Sequence, residues 1–382
     1  MSRRLLVLSA CLLSAACADN ADHVLDPVEP AGAAALHATA RGPTVMTRNM
    51  YLGADLNPLL QAPTPGAVPF IAAEVWGRIQ ASNLPARAGG MAAEIAATAP
   101  HLVGLQEAVL YQLQSPGDAA FGGQVPATSV VYDFVQLLVD SLAMRGLTYV
   151  VAAQTVSTVV EIPVFTGATP NPFDDVRFTD REVVLARADV TITNPQGEVF
   201  EADIELEIGG SGGPPLSQRR GWASIDATVR GHVFRFLSSH LEVQSVAPIQ
   251  VLQGAELIAI ADASPLPVVL VGDFNSAADG TQTATYANIT ASGFEDVWHK
   301  RGNPGYTCCH AEDLLNTRSD LDQRLDIVFV RGFRTTERGS IGGQVQLVGD
   351  HAGDRLASGL WPSDHAGVVA SLRLTPPAVA VQ

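Results

Sequence analysis

Hydrophobic and polar positions change period several times along the chain. TVMTRNMYL (44–52) and HLVGLQE (101–107) read as strands, each an apolar run meeting a polar group. Between them, residues 68–81 and 85–98 read as helices; Asn83 stands as a cap ahead of Pro85, and Pro100 closes the second. Residues 130–145 carry Val130, Phe134, Leu137, Leu138 and Leu142 at helical spacing. From 147 to 230, short β-rich runs alternate with turn-rich loops, of which TPNPFDD and GGSGGPPLSQ are the clearest. HVFRFLSSHLEV and PVVLVGDFNS are strand-like with a helical run, 248–261, between them; RLDIVFVRG and GVVASLRLT are the late strands. No segment repeats at a fixed period. Strands mixed with helices predict a layered α/β or α+β domain.

Both termini depart from this pattern. MSRRLLVLSACLLSAACADN runs from a basic start through an apolar stretch to small residues, so 1–17 reads as an export signal. Its apolar run is too short to span a bilayer comfortably. LLSAAC resembles a lipoprotein box with Cys17 as the lipid-bearing residue, although Ser14 stands where that box has Leu. Leu8-Ser9-Ala10-Cys11 fits the box better but leaves a very short apolar segment, and cleavage after Ala18 is the alternative. The expectation is an exported protein: a periplasmic or cell-surface lipoprotein held to the membrane by a lipid anchor, or a secreted one. Residues 18–43, rich in Ala, Pro and Asp, read as a flexible linker, 44–375 as the folded domain, and 376–382 as a tail.

The chain has 382 residues, 47% of them hydrophobic, with 34 glycines and 24 prolines, so a sizeable core with many turns is within reach. A net charge of −16 argues against a broad electrostatic grip on nucleic acid but leaves room for a local phosphate-facing pocket. Removing the signal leaves Cys308 and Cys309, which are adjacent, so no disulfide framework staples the fold.

One feature recurs. An apolar run ends in, or opens on, a group able to bind metal or move a proton: Asn49, Glu107, His240, Asp273 with Asn275, Asp326, and Asp364 with His365. A single such residue is usually a turn residue bonding its own backbone. Eight together are harder to dismiss, because the ends of strands in one sheet converge in space.

In order, N, LQE, SHLE, GDFN, RLD and SDH resemble the signature set of the endonuclease/exonuclease/phosphatase (DNase I-like) superfamily, over about residues 44 to 375. The resemblance implies a four-layer sandwich, two mixed β-sheets face to face with helices outside, and metal-dependent hydrolysis of a phosphoester by in-line attack of water. Mg²⁺ is the implied cofactor, with Mn²⁺ or Ca²⁺ as alternatives; Glu107 is its main ligand, Asn49 lies close by, and Asp364 touches the metal or its water shell. For the water, two assignments stand: His365 as general base oriented by Asp326, or Asp273 holding the water while His365 braces the phosphate. His240 donates to a phosphate oxygen or acts as the acid toward the leaving group, and Asn275 binds the equatorial oxygens. Glu182 stands where such proteins pair a glutamate with the first histidine, with Asp180 as a competitor, and Arg324 is a rival salt-bridge partner for Asp326.

Three departures accompany the resemblance. Pro100-His101 precedes the LQE strand, Tyr51 replaces a second acid or amide after Asn49, and GYTCCHAEDLLN holds the two cysteines. Those cysteines read as reduced loop thiols, a vicinal disulfide, or soft-metal ligands with His310. The substrate expectation is a phosphodiester, with a nuclease first. A sphingomyelinase-like lipid phosphodiesterase using IPVFTGATPNPF (162–173) at a membrane is second, and an inositol-phosphate phosphatase third. The ordinary reading of that loop packs Phe165 and Phe173 inward. A catalytically inactive surface binding module is the reading from another class. No obligate protein partner is inferred.

Overall fold

The computed structural model describes residues 42–209, 215–298, 302–333 and 342–372; the export, lipidation (Cys17) and C-terminal-tail expectations lie outside them. The first half begins with β1 (Thr44–Asn49), then α1 (Asn57–Leu60), α2 (Val68–Ala81), α3 (Leu84–Thr98), β2 (Leu102–Gln106), β3 (Leu110–Gln114) and β4 (Ser129–Asp133). Then come α4 (Phe134–Ala143), β5 (Tyr149–Phe165), β6 (Phe173–Arg187), β7 (Thr191–Val199), β8 (Ile204–Glu207) and β9 (Pro215–Gln218). The second half holds β10 (Gly221–Val229), β11 (His232–His240), α5 (Ala247–Asp262), β12 (Val268–Asp273), α6 (Thr285–Ala291) and β13 (Glu295–Asp296). It ends with β14 (Asp326–Arg331), β15 (Gly342–Val348) and β16 (Gly367–Leu372).

Among the described residues the strands form two large mixed sheets and the small hairpin β8–β9. The first sheet runs β15-β16-β1-β2-β6-β3-β4 with β5 paired to β6; the second runs β13-β14-β12-β11-β10-β7. The two-residue period of a strand explains how they stack. Along β12, Val269 and Val271 face the first sheet, meeting Val45, Leu102 and Val368, while Val268 and Leu270 face Leu257 and Ala261 of α5. On the far side of the first sheet, Val103 and Leu105 pack against Met91 and Ile95 of α3 and Leu138 of α4. Covered on both faces, these strands are almost continuously apolar, as the sequence showed. The result is the four-layer sandwich, helices outside two sheets. At Gly104 the sheets come so close that a Cβ would lie 2.6 Å from both Ser238 Oγ and Val271 Cγ2. There Gln106 Nε2 donates to Ser238 Oγ at 3.0 Å, pinning one sheet to the other beside the polar strand ends.

Several elements differ from expectation. Val130 lies in β4, paired with β3, and the helix begins only at Phe134; Asp133 caps it, accepting from Gln136 N at 3.2 Å. The β-branched pair Val130-Val131 favours a strand edge over a helix turn. The runs expected to be short between 147 and 187 are two long strands, β5 and β6, paired from Tyr149↔Arg187 to Phe165↔Phe173. Phe173 and the two following aspartates therefore belong to a strand, not to the TPNPFDD loop. Asn83 caps α3 as expected, accepting from Ala86 N at 3.2 Å. Among the described residues, no helix is long and apolar enough to cross a membrane.

Candidate active site

Strand register assembles the site. In the second sheet β11 and β12 are parallel and β14 is antiparallel to them, with His240 opposite Asp273 and Asp273 opposite Asp326. That is why two of these groups close their strands and the third opens its own: all three stand at one edge. In the first sheet Asn49 lies opposite Gln106 on the parallel strand β2, so Glu107 follows at the same edge. His365 sits two residues before β16, whose pairing with β1 returns it to that edge.

Asn49 joins the two sheets. Its Nδ2 donates to Glu107 Oε1 and to Asp273 Oδ2, both at 3.1 Å, while its own oxygen accepts from Tyr51 N at 2.9 Å. The amide therefore turns its NH₂ to the carboxylates, and Asn49 braces Glu107 where the sequence had placed it beside the metal. Leu52 N donates to the other Glu107 oxygen at 2.8 Å. Burial and then the Asp364 carboxylate push the Glu107 acid up, and Asp364 is raised first by its own burial. Two acids raised by burial, with Asp364 adding to Glu107, form an oxygen-donor set suited to a hard divalent cation, which would stabilise their charged forms.

His365 Nδ1 lies 2.7 Å from Asp326 Oδ2. Leu325 N and Asp326 N each donate to Thr307 Oγ1 at 3.0 Å, which fixes that strand start. Arg324 bonds Asp296 instead, at 2.6 Å, so it does not compete for Asp326. Burial opposes charge on His365, but Asp326, Asp364 and Asp273 outweigh it and hold the imidazole well above its ordinary range. Its Nε2 lies 3.8 Å from Asp273 Oδ2. Burial pushes Asp273 up to about 7, with Asp326 adding and His365 opposing.

His240 differs from the implied glutamate pairing. Glu182 Oε1 stands 4.0 Å from its Nδ1, whereas Arg220 NH1 reaches the same nitrogen at 3.0 Å. Both Glu182 oxygens are buried without a hydrogen bond, and burial holds that acid well above its ordinary range. Arg220 also lies 3.3 Å from Glu242 and 3.7 Å from Asp180. Burial, then Arg220 and His365, depress His240, so the ring is neutral; with Arg220 at Nδ1 its proton is on Nε2, 3.5 Å from Asp273 Oδ2. Asn275 Nδ2 sits 3.2 Å from His240 Nε2 and donates to Leu241 O at 2.9 Å.

Glu107 (φ 52°), Asn275 (φ 49°) and Tyr51 (φ 58°) all have left-handed backbones. Such conformations cost about 1–3 kcal/mol each and persist where surrounding bonds over-determine them. The Asn49, Leu52 and Asp273 bonds to these residues do that here.

Arg220 is the residue the sequence reading missed. It stands at the end of a loop as one half of Arg219-Arg220, without a motif, and only Glu242, Asp180 and His240 around it reveal its place. The cysteines also differ from their default reading: Cys308 and Cys309 form a disulfide, and Cys309 Sγ lies 3.8 Å from His365 Nε2. His310 takes no part, being stacked on Trp361 at 3.8 Å between ring centroids. Phe165 and Phe173 are not packed inward but close the β5–β6 ladder at the surface, with Phe165 36% exposed.

Comparison with known proteins bears on the family and the fold. A family model described as Endonuclease/Exonuclease/phosphatase family matches residues 74–365. A solved family protein from Leptotrichia buccalis superposes with a TM-score of 0.50 at 15% identity, covering 87% of this chain and 100% of its own. D. rerio TDP2 complexed with single strand DNA product aligns with a TM-score of 0.48 at 17% identity, over 86% of this chain and 97% of its own. For the Bacteroides thetaiotaomicron mannosyl-6-phosphatase the values are 0.45, 15%, 87% and 100%. A search of curated protein sequences found no match.

Proposed function

The chain belongs to the endonuclease/exonuclease/phosphatase family, a family of phosphoester hydrolases, and from that premise we propose that it is a divalent-metal-dependent phosphodiesterase using an activated water. The observation that carries this reading is the meeting of Asp273 with Asn49 from one side and the His365–Asp326 pair from the other. Glu107 and Asp364 would hold the cation, Mg²⁺ by the hardness of their oxygens. When bound, it supplies Lewis-acid polarisation of the phosphoryl group.

Of the two assignments for the water, the charge states favour Asp273. A carboxylate titrating at about 7 is matched to neutral-pH proton abstraction, whereas His365, held protonated by three acids, is already a donor. His365 then braces a non-bridging phosphate oxygen through Nε2–H, and Asp326 fixes its tautomer and charge. His240, kept neutral beside Arg220, donates a hydrogen bond from Nε2 rather than a proton to the leaving group. Asn275, whose Nδ2 donates to Leu241 O, stands beside that ring.

The test is hydrolysis of bis-p-nitrophenyl phosphate with Mg²⁺. Turnover abolished by EDTA and by His365→Ala supports the reading. No turnover with any of Mg²⁺, Mn²⁺ and Ca²⁺ would favour an inactive binding module.

A further inference from the structure

The loop that carries Cys308 and Cys309 is fixed by its backbone. Thr307 N and Cys308 N donate to Gln323 O at 2.6 and 3.0 Å, and Asp322 N and Gln323 N donate back to Cys308 O at 2.8 and 3.1 Å. On the other side Ala366 N donates to Thr307 O at 2.8 Å and His310 N to Asp364 O at 2.7 Å. The cysteines thus lie between the segment that leads into Asp326 and the segment that holds His365. These bonds keep the pair beside His365 whether its sulfurs are joined or free.

Three donor atoms converge there: Cys308 Sγ, Cys309 Sγ and a His365 ring nitrogen all lie within 4.8 Å of one another. Asp326 holds Nδ1 of that ring at 2.7 Å, which leaves Nε2 as the available donor, 3.8 Å from Cys309 Sγ. A tetrahedral zinc, with Zn–S of about 2.3 Å and Zn–N of about 2.0 Å, holds its sulfur and nitrogen about 3.5 Å apart. A carboxylate behind the imidazole is also the usual support of a metal-binding histidine. His310 is not among the donors, since its Nδ1 lies 3.2 Å from Asn316 Nδ2 and its Nε2 lies 3.3 Å from Gly349 O. Cys308 is buried and Cys309 is the more exposed of the two, so a reductant reaches the pair through Cys309. Thiolates and imidazole select soft or borderline cations, whereas the oxygens of Glu107 and Asp364 select hard ones.

We propose that the reduced pair forms, with His365 Nε2, an inhibitory site for a thiophilic divalent cation of the zinc or cadmium class, and that the disulfide keeps this site closed. Opening it takes two electrons and two protons from two small thiols, which leave as their own disulfide while Cys308 and Cys309 become thiols. The cation then displaces both thiol protons and the proton on Nε2. An imidazole bound to metal through Nε2 has no hydrogen bond left for a phosphate oxygen. Inhibition rests on the phosphodiesterase reading; the cation site does not. A hard cation at the oxygens and a soft one at the sulfurs thus act in opposite senses on one histidine.

The probe is Cd²⁺, whose bonds to thiolate give an ultraviolet charge-transfer band. The full chain, with Cys11→Ser and Cys17→Ser so that only the pair reports, is reduced with a phosphine, freed of it and titrated with Cd²⁺ in excess Mg²⁺. The band should appear and saturate at one equivalent. Turnover of bis-p-nitrophenyl phosphate should fall about a hundredfold, the scale of losing one transition-state hydrogen-bond donor. The disulfide form, confirmed by thiol titration, should show neither change. Cys309→Ser should keep Mg²⁺-dependent turnover and resist Cd²⁺; melting curves check its fold, and Cys309→Ala replaces it if it does not fold. His365→Ala should weaken Cd²⁺ binding by more than about tenfold, since losing even a supporting partner of a metal ligand costs that much. A reduced protein without the band would overturn the site, as would equal inhibition of Cys309→Ser, which would put the cation at Glu107 and Asp364 instead. Absence of turnover before Cd²⁺ is added would sink the catalytic reading alone, because the band still decides the site.

Discussion

Asp326→Asn separates the two assignments of the catalytic base. The substitution keeps the shape of a side chain that touches His365 Nδ1 at 2.7 Å but removes its charge. Two unit charges about 4 Å apart attract by about 4 kcal/mol at an effective dielectric of 20. The same energy is roughly a thousandfold in the proton affinity of the imidazole, and about 3 pH units in any kinetic limb that reports it. If His365 must be protonated to brace the phosphate, its ionisation is the alkaline limb of the pH profile, and Asp326→Asn draws that limb down towards neutrality. The acid limb, set by Asp273 near 7, moves far less. If His365 were instead the base, its ionisation would be the acid limb, and the variant would gain relative activity at low pH. The assay is kcat/KM for bis-p-nitrophenyl phosphate from pH 5 to 10 at fixed ionic strength, with melting curves to confirm folding across the range. An acid limb displaced downward, with the alkaline limb unmoved, would refute the bracing role.

Other consequences follow from the buried charges. Glu107→Gln should cut Mg²⁺-dependent turnover about a thousandfold, the several kcal/mol a Lewis acid contributes, and should raise the melting temperature in EDTA because a repelling buried acid is gone. Arg220→Met strands Asp180 and Glu242; urea unfolding should show a loss of about 3–5 kcal/mol, and an unchanged midpoint would contradict the network. His101 and His310 titrate near 4, each depressed chiefly by burial. Below their ordinary value of about 6.5 the unfolded chain binds the extra protons, so stability present at pH 7 is lost progressively from about 6.5 towards 4. Melting temperatures at pH 7 and pH 5 check the direction.

Much of the site was legible because polar residues at the ends of apolar strands have few other places to go. GDFN and RLD announced Asp273 and Asp326 as strand termini, and pairing β12 with β14 made them neighbours. Asp180 was named only as a competitor of Glu182, and Arg220 and Glu242 were not legible: their meeting depends on three segments whose local patterns say nothing about one another. The β5–β6 hairpin was underestimated because its residues are irregularly half-buried, which breaks the two-residue alternation that marks a strand. A cleft beside Glu107 and Asp364 was hidden for a related reason. Leu56, Trp76, Ile162 and Phe178 come from a loop, a helix and two strands, and only their packing creates a shared wall.

The register of β11, β12 and β14 has a consequence for how this protein can be made. Since side chains alternate between faces, a slip of one position along β12 would swing the carboxylate at 273 away from both histidines and bury it among α5 and its neighbours. Refolded material could then be helical, compact and inert. Recovery of turnover therefore counts the molecules that have paired these three strands correctly, which bulk spectroscopy of secondary structure does not distinguish.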